Sequence, residues 1–398
     1  MKDVSLSQPV QTGKIRLITN PAEVESIRSD WLACLARFPH HHIQANPDWL
    51  ALELELAPPG AVKPLVAVLE EDGQIAALAP FRIIRRTLSC RLGYLTVARF
   101  SVKILDLCGE KLIAPDDIGR QAELLAGSTS SAERVDAVFL ECVPLESTLW
   151  KTIETSSVIK DNYWVFMPDP PTVHRLIRFG DSMDRYLAEF SADARNKLRR
   201  SVRKLKEAAA GDLELVRVTG KNDVESLLRE MEEVSRKGWK GRSLGRVVRP
   251  DEPTIRRFQA YADKGWLLCY VLRAKGQAIA YRLVMRGQRM LHSDETAYDE
   301  AWRQYQPGKV LVFLALQDLF GENRPEVLDF GYGDDATKSL FATDSYPEAS
   351  VYLVRKRPYP WIAFSAVRLC AMITRVVRKA LNSTGLLVRA RRLLRRRD

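Results

Sequence analysis

The chain has 398 residues, of which 46% are hydrophobic and 28% are charged, a composition typical of a globular protein. The length is sufficient for two domains, each with a hydrophobic core of its own. The net charge of +11 is not spread evenly, because 13 basic residues and one acidic residue lie between Arg355 and Asp398, which gives this segment +12 and the other 354 residues −1. The basic pI therefore reflects the C-terminal tail, and it gives no information on the charge of a site in the rest of the chain.

The six cysteines are scattered, mostly within apolar runs, and include no Cys-x-x-Cys pair. We expect them to be buried, reduced thiols of a cytoplasmic protein. The N-terminal segment MKDVSLSQPVQTGKIRL lacks the apolar region of a signal peptide. No uninterrupted apolar run reaches the roughly 18–20 residues that a membrane-spanning helix needs.

The first half begins with a predicted strand, KIRLIT, followed by helices and then by three strands. Its helices are predicted at 21–38, 46–56, 115–127 and 145–156, and its strands at 14–19, 64–71, 74–86, 94–107, 136–142, 163–167 and 174–179. A long basic helix, DSMDRYLAEFSADARNKLRRSVRKLKEAAAG, is predicted to follow.

The second half repeats this order. Its strands are predicted at 212–219, 266–273, 278–285, 289–296, 327–331 and 349–355, and its helices from Asn222, at 252–264, from Pro307 and at 334–342. Two copies of one order of elements in a single chain indicate a duplicated domain.

The segment QYQPGKVLVFLALQDLF places a Pro-Gly break directly before an apolar helix. The free N–H groups and the dipole at a helix start favour a phosphate group. Gly308 has no side chain and leaves room for a pyrophosphate, and Lys309 adds a positive charge. Proline is tolerated at position 307 because the first residue of a helix does not need an N–H donor. The alternative is a buried helix that merely begins at Pro-Gly.

The motifs HSDETAYDEAWRQYQPGKVLVFLALQDLF and VLDFGYGDDATKSLFAT resemble GNAT acetyltransferases of the BcsL/CelD type, which act in bacterial cellulose and exopolysaccharide biosynthesis. These proteins are related to the FemAB family, whose members carry two GNAT-like domains. NPDWLALEL and FSADARNKLRRSVRKLKEA also resemble that family, so the resemblance covers about residues 15–355 and is most specific at 291–341.

The resemblance implies an α/β (α+β) fold with tandem duplicated GNAT-like domains, each a mixed, mostly antiparallel sheet flanked by helices. We expect a degenerate GNAT-like domain at 1–178, the basic linker helix at 179–211, the acetyltransferase domain at 212–357 and a basic helical tail at 358–398. It also implies that acetyl-coenzyme A or another acyl-coenzyme A is the co-substrate, bound by Tyr305, Gln306, Pro307, Gly308, Lys309 and Val310. The usual GNAT turn has Gln or Arg where Tyr305 stands and a small residue where Val310 stands.

The resemblance places four candidate catalytic residues in the second half. His292 and Glu295 lie on the strand expected beside the thioester, and either of these two residues could serve as the base. Asp294 is expected on the opposite face of the strand. Asp329 and Lys338 belong to the motif at the active-site edge, where Lys338 could hold an anionic acceptor. Each of these residues also has a purely structural interpretation. His292 would be a partly buried histidine, and Glu295 would lie at a solvated strand end. An aspartate would cap the short helix, with Lys338 at the surface.

The acceptor is expected to contact six residues around these positions, namely Trp239, Lys240, Arg242, Tyr298, Tyr332 and Asp335. The segment KGWKGRSLGR corresponds to the acceptor wall of GNAT folds, and the alternative is an exposed Gly-rich loop. We expect no metal, because the adjacent side chains of His40, His41 and His42 diverge and have no ligand partner at a suitable spacing.

The basic linker, with Arg195, Arg199 and Arg203 on one face, is either a solvated surface or a groove for an anionic partner. The tail is apolar and Arg-rich, and Arg368, Arg375 and Arg378 argue against a membrane span. It suits a helix lying on an anionic inner membrane face, or a partner helix.

The sequence therefore predicts a cytoplasmic acyltransferase, peripheral on the inner membrane face, that transfers an acyl group directly to a sugar or lipid-linked cell-envelope precursor. One alternative is FemAB-like transfer from aminoacyl-tRNA, the only case in which we expect a nucleic-acid partner. The other is an inactive double-GNAT scaffold of a polysaccharide synthesis complex.

Overall fold

The structure is a computed structural model, and it describes residues 14–93, 95–129, 134–321 and 324–383. Side chains are described to residue 377. The start of the chain before residue 14 and the basic end of the tail from residue 384 lie outside the described residues, as does Tyr94 at the predicted start of a strand.

The first half follows the predicted order of a strand, helices, three antiparallel strands, a helix, a strand, helices and final strands. Its strands are β1 (Lys14–Ile18), β2 (Val62–Glu71), β3 (Gln74–Leu92), β4 (Leu95–Leu107), β5 (Ala137–Pro144), β6 (Tyr163–Phe166) and β7 (Thr172–Arg178). Its helices are α1 (Pro21–Ser26), α2 (Arg28–Arg37), α3 (Pro47–Leu56), α4 (Ile118–Thr129), α5 (Thr148–Thr155) and α6 (Ser157–Asn162), with a 3₁₀ turn at Ile43–Ala45.

The linker consists of two helices, α7 (Met183–Ala188) and α8 (Ala192–Ala208), where the sequence predicted one. The break has a local cause, because the Ser191 side chain accepts a hydrogen bond from the Ala194 N–H and caps the start of α8. Phe190 packs against Tyr186 beside the break.

The second half repeats the order of the first, so the predicted duplication is confirmed. Its strands are β8 (Leu213–Val218), β9 (Leu267–Ala274), β10 (Gln277–Arg286), β11 (Met290–Tyr298), β12 (Val327–Asp329) and β13 (Asp344–Arg355). Its helices are α9 (Val224–Lys237), α10 (Trp239–Leu244), α11 (Glu252–Asp263), α12 (Pro307–Gly321), α13 (Ala336–Phe341) and α14 (Pro358–Ser383), with 3₁₀ turns at Lys221–Asp223 and Glu300–Tyr305.

The two halves share one continuous sheet because their last strands are exchanged. The order is β1-β2-β3-β4-β5-β13-β7-β12-β11-β10-β9-β8, with β6 paired to β13. Strand β7, from the first half, pairs with β12, whereas β13, from the second half, pairs with β5. Each half therefore depends on a strand that the other contributes.

Strand β11 separates from its parallel neighbour part of the way along its length. It pairs with β12 only from Met290 to His292 and then continues to Tyr298. A bulge opposite Leu283 and Val284 leaves Asp294 without a cross-strand partner in the pairing with β10. The divergence opens a cleft in the sheet beside the C-terminal part of β11.

The tail helix α14 is partly built into the core, because Ala363 and Phe364 are buried against Val102 and Ile104. In the described part of the chain, its segment Pro358–Val377 is long and apolar enough to cross a membrane by length and composition, with a mean hydropathy of 1.4. This finding does not contradict the absence of an uninterrupted apolar run of about 18–20 residues, because it rests on mean hydropathy. The arginines at 368 and 375 interrupt the apolar run but leave its mean hydropathy high.

The six cysteines are all free thiols, and five of them are buried as the sequence predicted, whereas Cys370 is half-buried.

Because the strands are exchanged, we expect a substitution in β13 to destabilise the first half of the chain. Leu353 is fully buried in the core of the first half and pairs with Val138. We expect Leu353→Ala to lower the free energy of unfolding by about 2–5 kcal/mol and to speed amide hydrogen exchange in β5. Ile177→Ala in β7 is the reciprocal control and should affect the second half. Unchanged protection of β5 in Leu353→Ala would contradict the exchange.

Candidate active site

The cleft beside β11 has a volume of about 390 Å³ and is lined by residues from both halves. It brings together six of the residues predicted from the sequence, namely His292, Glu295, Lys338, Lys240, Tyr332 and Asp335. The first half adds residues that the sequence analysis did not select, namely Gln44, Glu110, Glu141 and Cys142, together with His42.

Glu295 is a half-buried carboxyl group in this cleft. The Tyr281 hydroxyl donates a hydrogen bond to its Oε1 over 3.0 Å. Burial raises the pKa of Glu295, the hydrogen bond from Tyr281 opposes this effect, and the nearby Asp294 adds to it. Asp294 was expected on the opposite face, but both residues line the cleft because the bulge interrupts the alternation of β11.

Arg282 is a buried cation at the same cleft, 7% exposed, and it was not selected from the sequence. Its Nη1 donates to Ser293 Oγ over 2.7 Å, and its guanidinium lies over the Phe330 ring. Burial lowers its pKa to about 10, which leaves the group charged at neutral pH. Among the described residues its Nε is buried without a hydrogen-bond partner, and the positive charge of its guanidinium favours an anionic group in the cleft.

His292 lies at the inner end of the cleft with its ring against the ring of His42, at a centroid distance of 3.9 Å. Burial and the neighbouring His42 lower its pKa to about 3, so the imidazole is neutral at physiological pH. Its Nδ1 is buried, has no hydrogen-bond partner within the described ranges of the chain, and lies 3.8 Å from Asp329 Oδ1.

Asp329 belongs to a buried series of carboxylates and imidazoles on neighbouring strands. Glu348 on β13 lies 2.7 Å from His174 Nδ1 on β7, and His174 Nε2 lies 2.8 Å from Asp329 Oδ1 on β12. His42 Nε2 lies 3.4 Å from Asp329 Oδ2 and 3.5 Å from Glu110 Oε2. Asp329 was predicted, but the sites of His42, Glu110, His174 and Glu348 beside it were not, because these residues come from distant segments of the chain.

The charges in this series are strongly coupled. Burial lowers the pKa of His174, but the carboxylates of Asp329 and Glu348 outweigh it and raise this pKa to about 10. Burial raises the pKa of Glu110 to about 7, although His42 opposes the shift. The imidazoles of His174 and His42 outweigh burial at Asp329 and hold its pKa well below the usual range.

Lys338 closes the turn at the rim of the cleft. Its Nζ donates to the carbonyl oxygens of Gly331, Tyr332 and Gly333, each over 2.8 Å, which engages all three of its N–H groups. Gly331 has φ +69°, and a Cβ there would lie 2.9 Å from Ser293 O, so only glycine fits. Lys338 thus fixes the turn that carries Tyr332.

Asp335 caps α13, because its Oδ1 accepts hydrogen bonds from the N–H groups of Thr337 and Lys338. The segment around Trp239 is a short helix rather than an open loop, and Trp239 and Arg242 are exposed on it. Gly241 is required there because a Cβ would lie 2.2 Å from Ser235 O.

The segment predicted to bind coenzyme A forms the start of α12. Tyr305 ends the 3₁₀ turn, Gln306 has φ +57°, and Pro307 is the first helical residue. The N–H groups of Lys309 and Val310 both donate to Gln306 O over 3.1 Å. Among the first three helical residues, the Gly308 N–H is therefore the donor that remains available.

Helix α8 packs against this helix start and adds positive charge. Ser201 Oγ lies 3.4 Å from Gln306 Oε1, which anchors α8 beside it. Burial lowers the pKa of Lys309, and the ammonium group of Lys197 on α8 lowers it further. Tyr298 lies at the same place, since its Cδ1 is 3.6 Å from the position of a Cβ at Gly308.

The model of the acetyltransferase (GNAT) domain family matches residues 192–339, a segment that begins with α8 and contains the cleft and the start of α12. GNAT domains use acyl-coenzyme A. No curated protein matches the chain significantly.

Among solved structures, FemX is 10% identical, covers 82% of this chain and 96% of its own, and superposes with a TM-score of 0.55. A tandem GNAT protein from the clavulanic acid biosynthesis pathway is 14% identical, with coverages of 87% and 99% and a TM-score of 0.49. L-PGS from Bacillus licheniformis is 15% identical, with coverages of 88% and 97% and a TM-score of 0.46. The chain therefore has a tandem GNAT-like fold, which it shares with FemX, and its residues 192–339 match the acetyltransferase (GNAT) domain family.

Proposed function

We propose that the chain transfers an acyl group directly from acetyl-coenzyme A, or another acyl-coenzyme A, to a hydroxyl or amine. The observation that carries this proposal is the cleft that opens where β11 leaves β12, lined by Glu295, which accepts a hydrogen bond from the buried Tyr281. The match of residues 192–339 to the acetyltransferase (GNAT) domain supports an acyl-coenzyme A donor.

The pyrophosphate of the donor would bind at the start of α12. The Gly308 N–H, the helix dipole and the ammonium groups of Lys309 and Lys197 together favour an anion there. The acyl arm would then extend along β11, from Tyr298 at its end towards Glu295.

In the transfer, Glu295 would act as the general base. It takes the proton of the acceptor hydroxyl or amine as the acceptor oxygen or nitrogen bonds to the acyl carbon. The carbon–sulfur bond breaks, and the coenzyme A sulfur leaves as a thiolate that is then protonated. Glu295 is better placed than His292, whose ring packs against His42 and whose Nδ1 is close to Asp329.

The acceptor is proposed to be a cell-envelope or exopolysaccharide sugar, or a lipid-linked precursor of one. The positive charge of Arg282 at the cleft supports an acceptor that carries an anionic group such as a phosphate. The exposed ring of Tyr332 at the rim is suited to stacking on a sugar.

A second candidate is FemAB-like transfer from aminoacyl-tRNA, which the exposed basic residues of α8 favour. Arg199, Arg200 and Lys204 are exposed on this helix, beside the start of α12. Lys197 is partly neutralised by Asp193 at 2.7 Å. An inactive scaffold is favoured by Tyr305 and Val310, which differ from the usual GNAT turn.

We also propose that α14 holds the enzyme on the anionic inner face of the cytoplasmic membrane. Its exposed apolar residues, among them Trp361, Leu369, Met372 and Val376, lie on one face of the helix, and Arg368 and Arg375 are beside that face. The tip of the β3–β4 hairpin adds exposed Leu92 and Leu95, and Gly93 N–H donates to Thr374 Oγ1 over 3.3 Å.

The donor site can be tested with Gly308→Asp. The nearest atom to a Cβ at Gly308 is 3.6 Å away, and an acidic residue suits a helix start, so we expect the variant to fold. Its carboxylate should repel the pyrophosphate and weaken acetyl-coenzyme A binding by at least about tenfold. Calorimetric titration of the unchanged protein, Gly308→Ala and Gly308→Asp measures this. Equal affinities of the unchanged protein and Gly308→Asp for acetyl-coenzyme A would refute the phosphate site. If the unchanged protein does not bind acetyl-coenzyme A, charged tRNA is the next ligand to test.

The base can be tested by the pH dependence of acyl transfer. Glu295 must be ionised to accept a proton, so kcat/KM should fall as the pH drops through its pKa, which lies above the ordinary 4.5. Tyr281, Asp294 and Lys240 are the other titratable groups that act on it. We expect Glu295→Gln to lower kcat by about 10²–10⁴ and to remove this acidic limb. An unaltered pH profile in Glu295→Gln would exclude it as the base.

Membrane binding can be tested with the triple variant Leu369→Glu, Met372→Glu, Val376→Glu. It adds charge to the exposed face and leaves the buried Ala363 and Phe364 in place, so the core should fold. We expect the variant to lose sedimentation with phosphatidylglycerol vesicles. The control carries Arg199→Glu, Arg200→Glu and Lys204→Glu on α8 and should still bind. Retained binding by the α14 variant would rule this helix out as the anchor.

A further inference from the structure

Two overlapping groups of three potential metal ligands meet at the buried boundary between the two halves of the chain. One group is His42, His292 and Asp329, and the other is Glu110, His174 and Asp329. His42 and Glu110 come from loops of the first half, and His292 and Asp329 come from β11 and β12 of the second. His42 and Glu110 are each 8% exposed, and Asp329 is 1% exposed. We propose that this cluster binds one divalent cation of the zinc class, which would join the two halves. The inference does not depend on the proposed acyl transfer.

The separations of the donor atoms fit a shared ion better than direct hydrogen bonds. His42 Nε2 lies 3.4 Å from Asp329 Oδ2 and 3.5 Å from Glu110 Oε2, and His292 Nδ1 lies 3.8 Å from Asp329 Oδ1. Hydrogen bonds of this kind are usually about 2.7–3.2 Å long. Tetrahedral zinc ligands at about 2.0–2.1 Å from the ion stand roughly 3.3–3.4 Å apart.

One unpartnered polar atom points to the same place. In the described part of the chain, His292 Nδ1 is buried and has no hydrogen-bond partner. His174 Nε2 gives no such evidence, because it lies 2.8 Å from Asp329 Oδ1 as part of an ion pair. Leaving a polar atom such as His292 Nδ1 unsatisfied in a protein interior is costly. A cation coordinated by His292 Nδ1 and by Asp329 would remove this cost at His292.

The charges around the cluster also favour a cation. Glu110, Asp329 and Glu348 are three buried carboxylates, and the ion pairs recorded for them in the described part of the chain are with imidazoles. Buried carboxylates require compensation by positive charge. A divalent ion supplies it while His42 and His292 stay neutral, the form in which imidazole binds a metal.

Asp329 is held in place by groups that surround it, as metal ligands usually are. Its Oδ1 accepts a hydrogen bond from the Gly331 N–H over 2.6 Å and lies beside His174. His174 is in turn fixed by Glu348 at 2.7 Å. Oδ2 is left directed towards His42, where the ion would lie.

The experiment is to load the full chain with Zn²⁺, remove loosely bound ions by gel filtration and measure the retained zinc by mass spectrometry. We expect about one zinc per chain and, after replacement with Co²⁺, the visible absorption of a tetrahedral site. His42→Gln and Glu110→Gln should each lower zinc affinity by more than the roughly 10–100-fold that loss of an outer partner costs. Zinc should also raise the melting temperature of the unchanged protein.

The matched control is His40→Gln, in the same loop, because His40 bonds to Glu326 at the surface instead of joining the cluster. It should keep the zinc and the cobalt spectrum. If folded, unchanged protein retains no zinc and gives no tetrahedral cobalt spectrum, the proposal is overturned. It is also overturned if His42→Gln retains as much zinc as His40→Gln. The cobalt spectrum of the unchanged protein decides the question even if a variant fails to fold.

Discussion

The exchange of β7 and β13 between the halves is the constraint on which the other features of the structure depend. Strand β12 is only three residues long and is held by β11 on one side and β7 on the other. Without β7 it would be an exposed edge with half of its backbone groups unpaired. The position of Asp329, at the end of β12, therefore depends on a strand from the other half of the chain.

The buried polar residues specify how these strands pair. Glu348, His174, Asp329 and His292 lie on β13, β7, β12 and β11, which are consecutive in the sheet. A shift of β7 by one residue would turn His174 to the other face and leave two buried carboxylates without their partner. Such a loss is expensive, because an uncompensated buried charge costs far more than a paired one. The polar series thus opposes incorrect registers more than it stabilises the correct one.

The sequence was sufficient to predict the elements whose signals are local. Alternation and tight turns predicted β9, β10 and β11, and the Pro-Gly break predicted the start of α12. The predicted residues on β11 and in the turn after β12 line one cleft, and they belong to motifs that are close in sequence. His42, Glu110, His174 and Glu348 gave no such signal, since only the exchanged strands bring them together. The adjacent histidines His40–His42 were not expected to bind a metal. Asp329, which lies close to His42 in the structure, is 287 residues away from it in the sequence.

The duplicated halves differ at the feature that creates the cleft. In the first half, β4 pairs with β5 from Ile104 to Asp106 and ends at Leu107, so it has no long segment beyond its parallel pairing. Arg82 joins Asp106 to Glu53 at this place through contacts of 2.9 and 3.0 Å, which fills the corresponding region with its own ion pairs. In the second half, β11 continues well beyond β12, and α12 follows it after a short 3₁₀ turn. The first half therefore supplies walls and buried charges, whereas, among the described residues, the divergent strand and the helix start that the proposed donor would use belong to the second half.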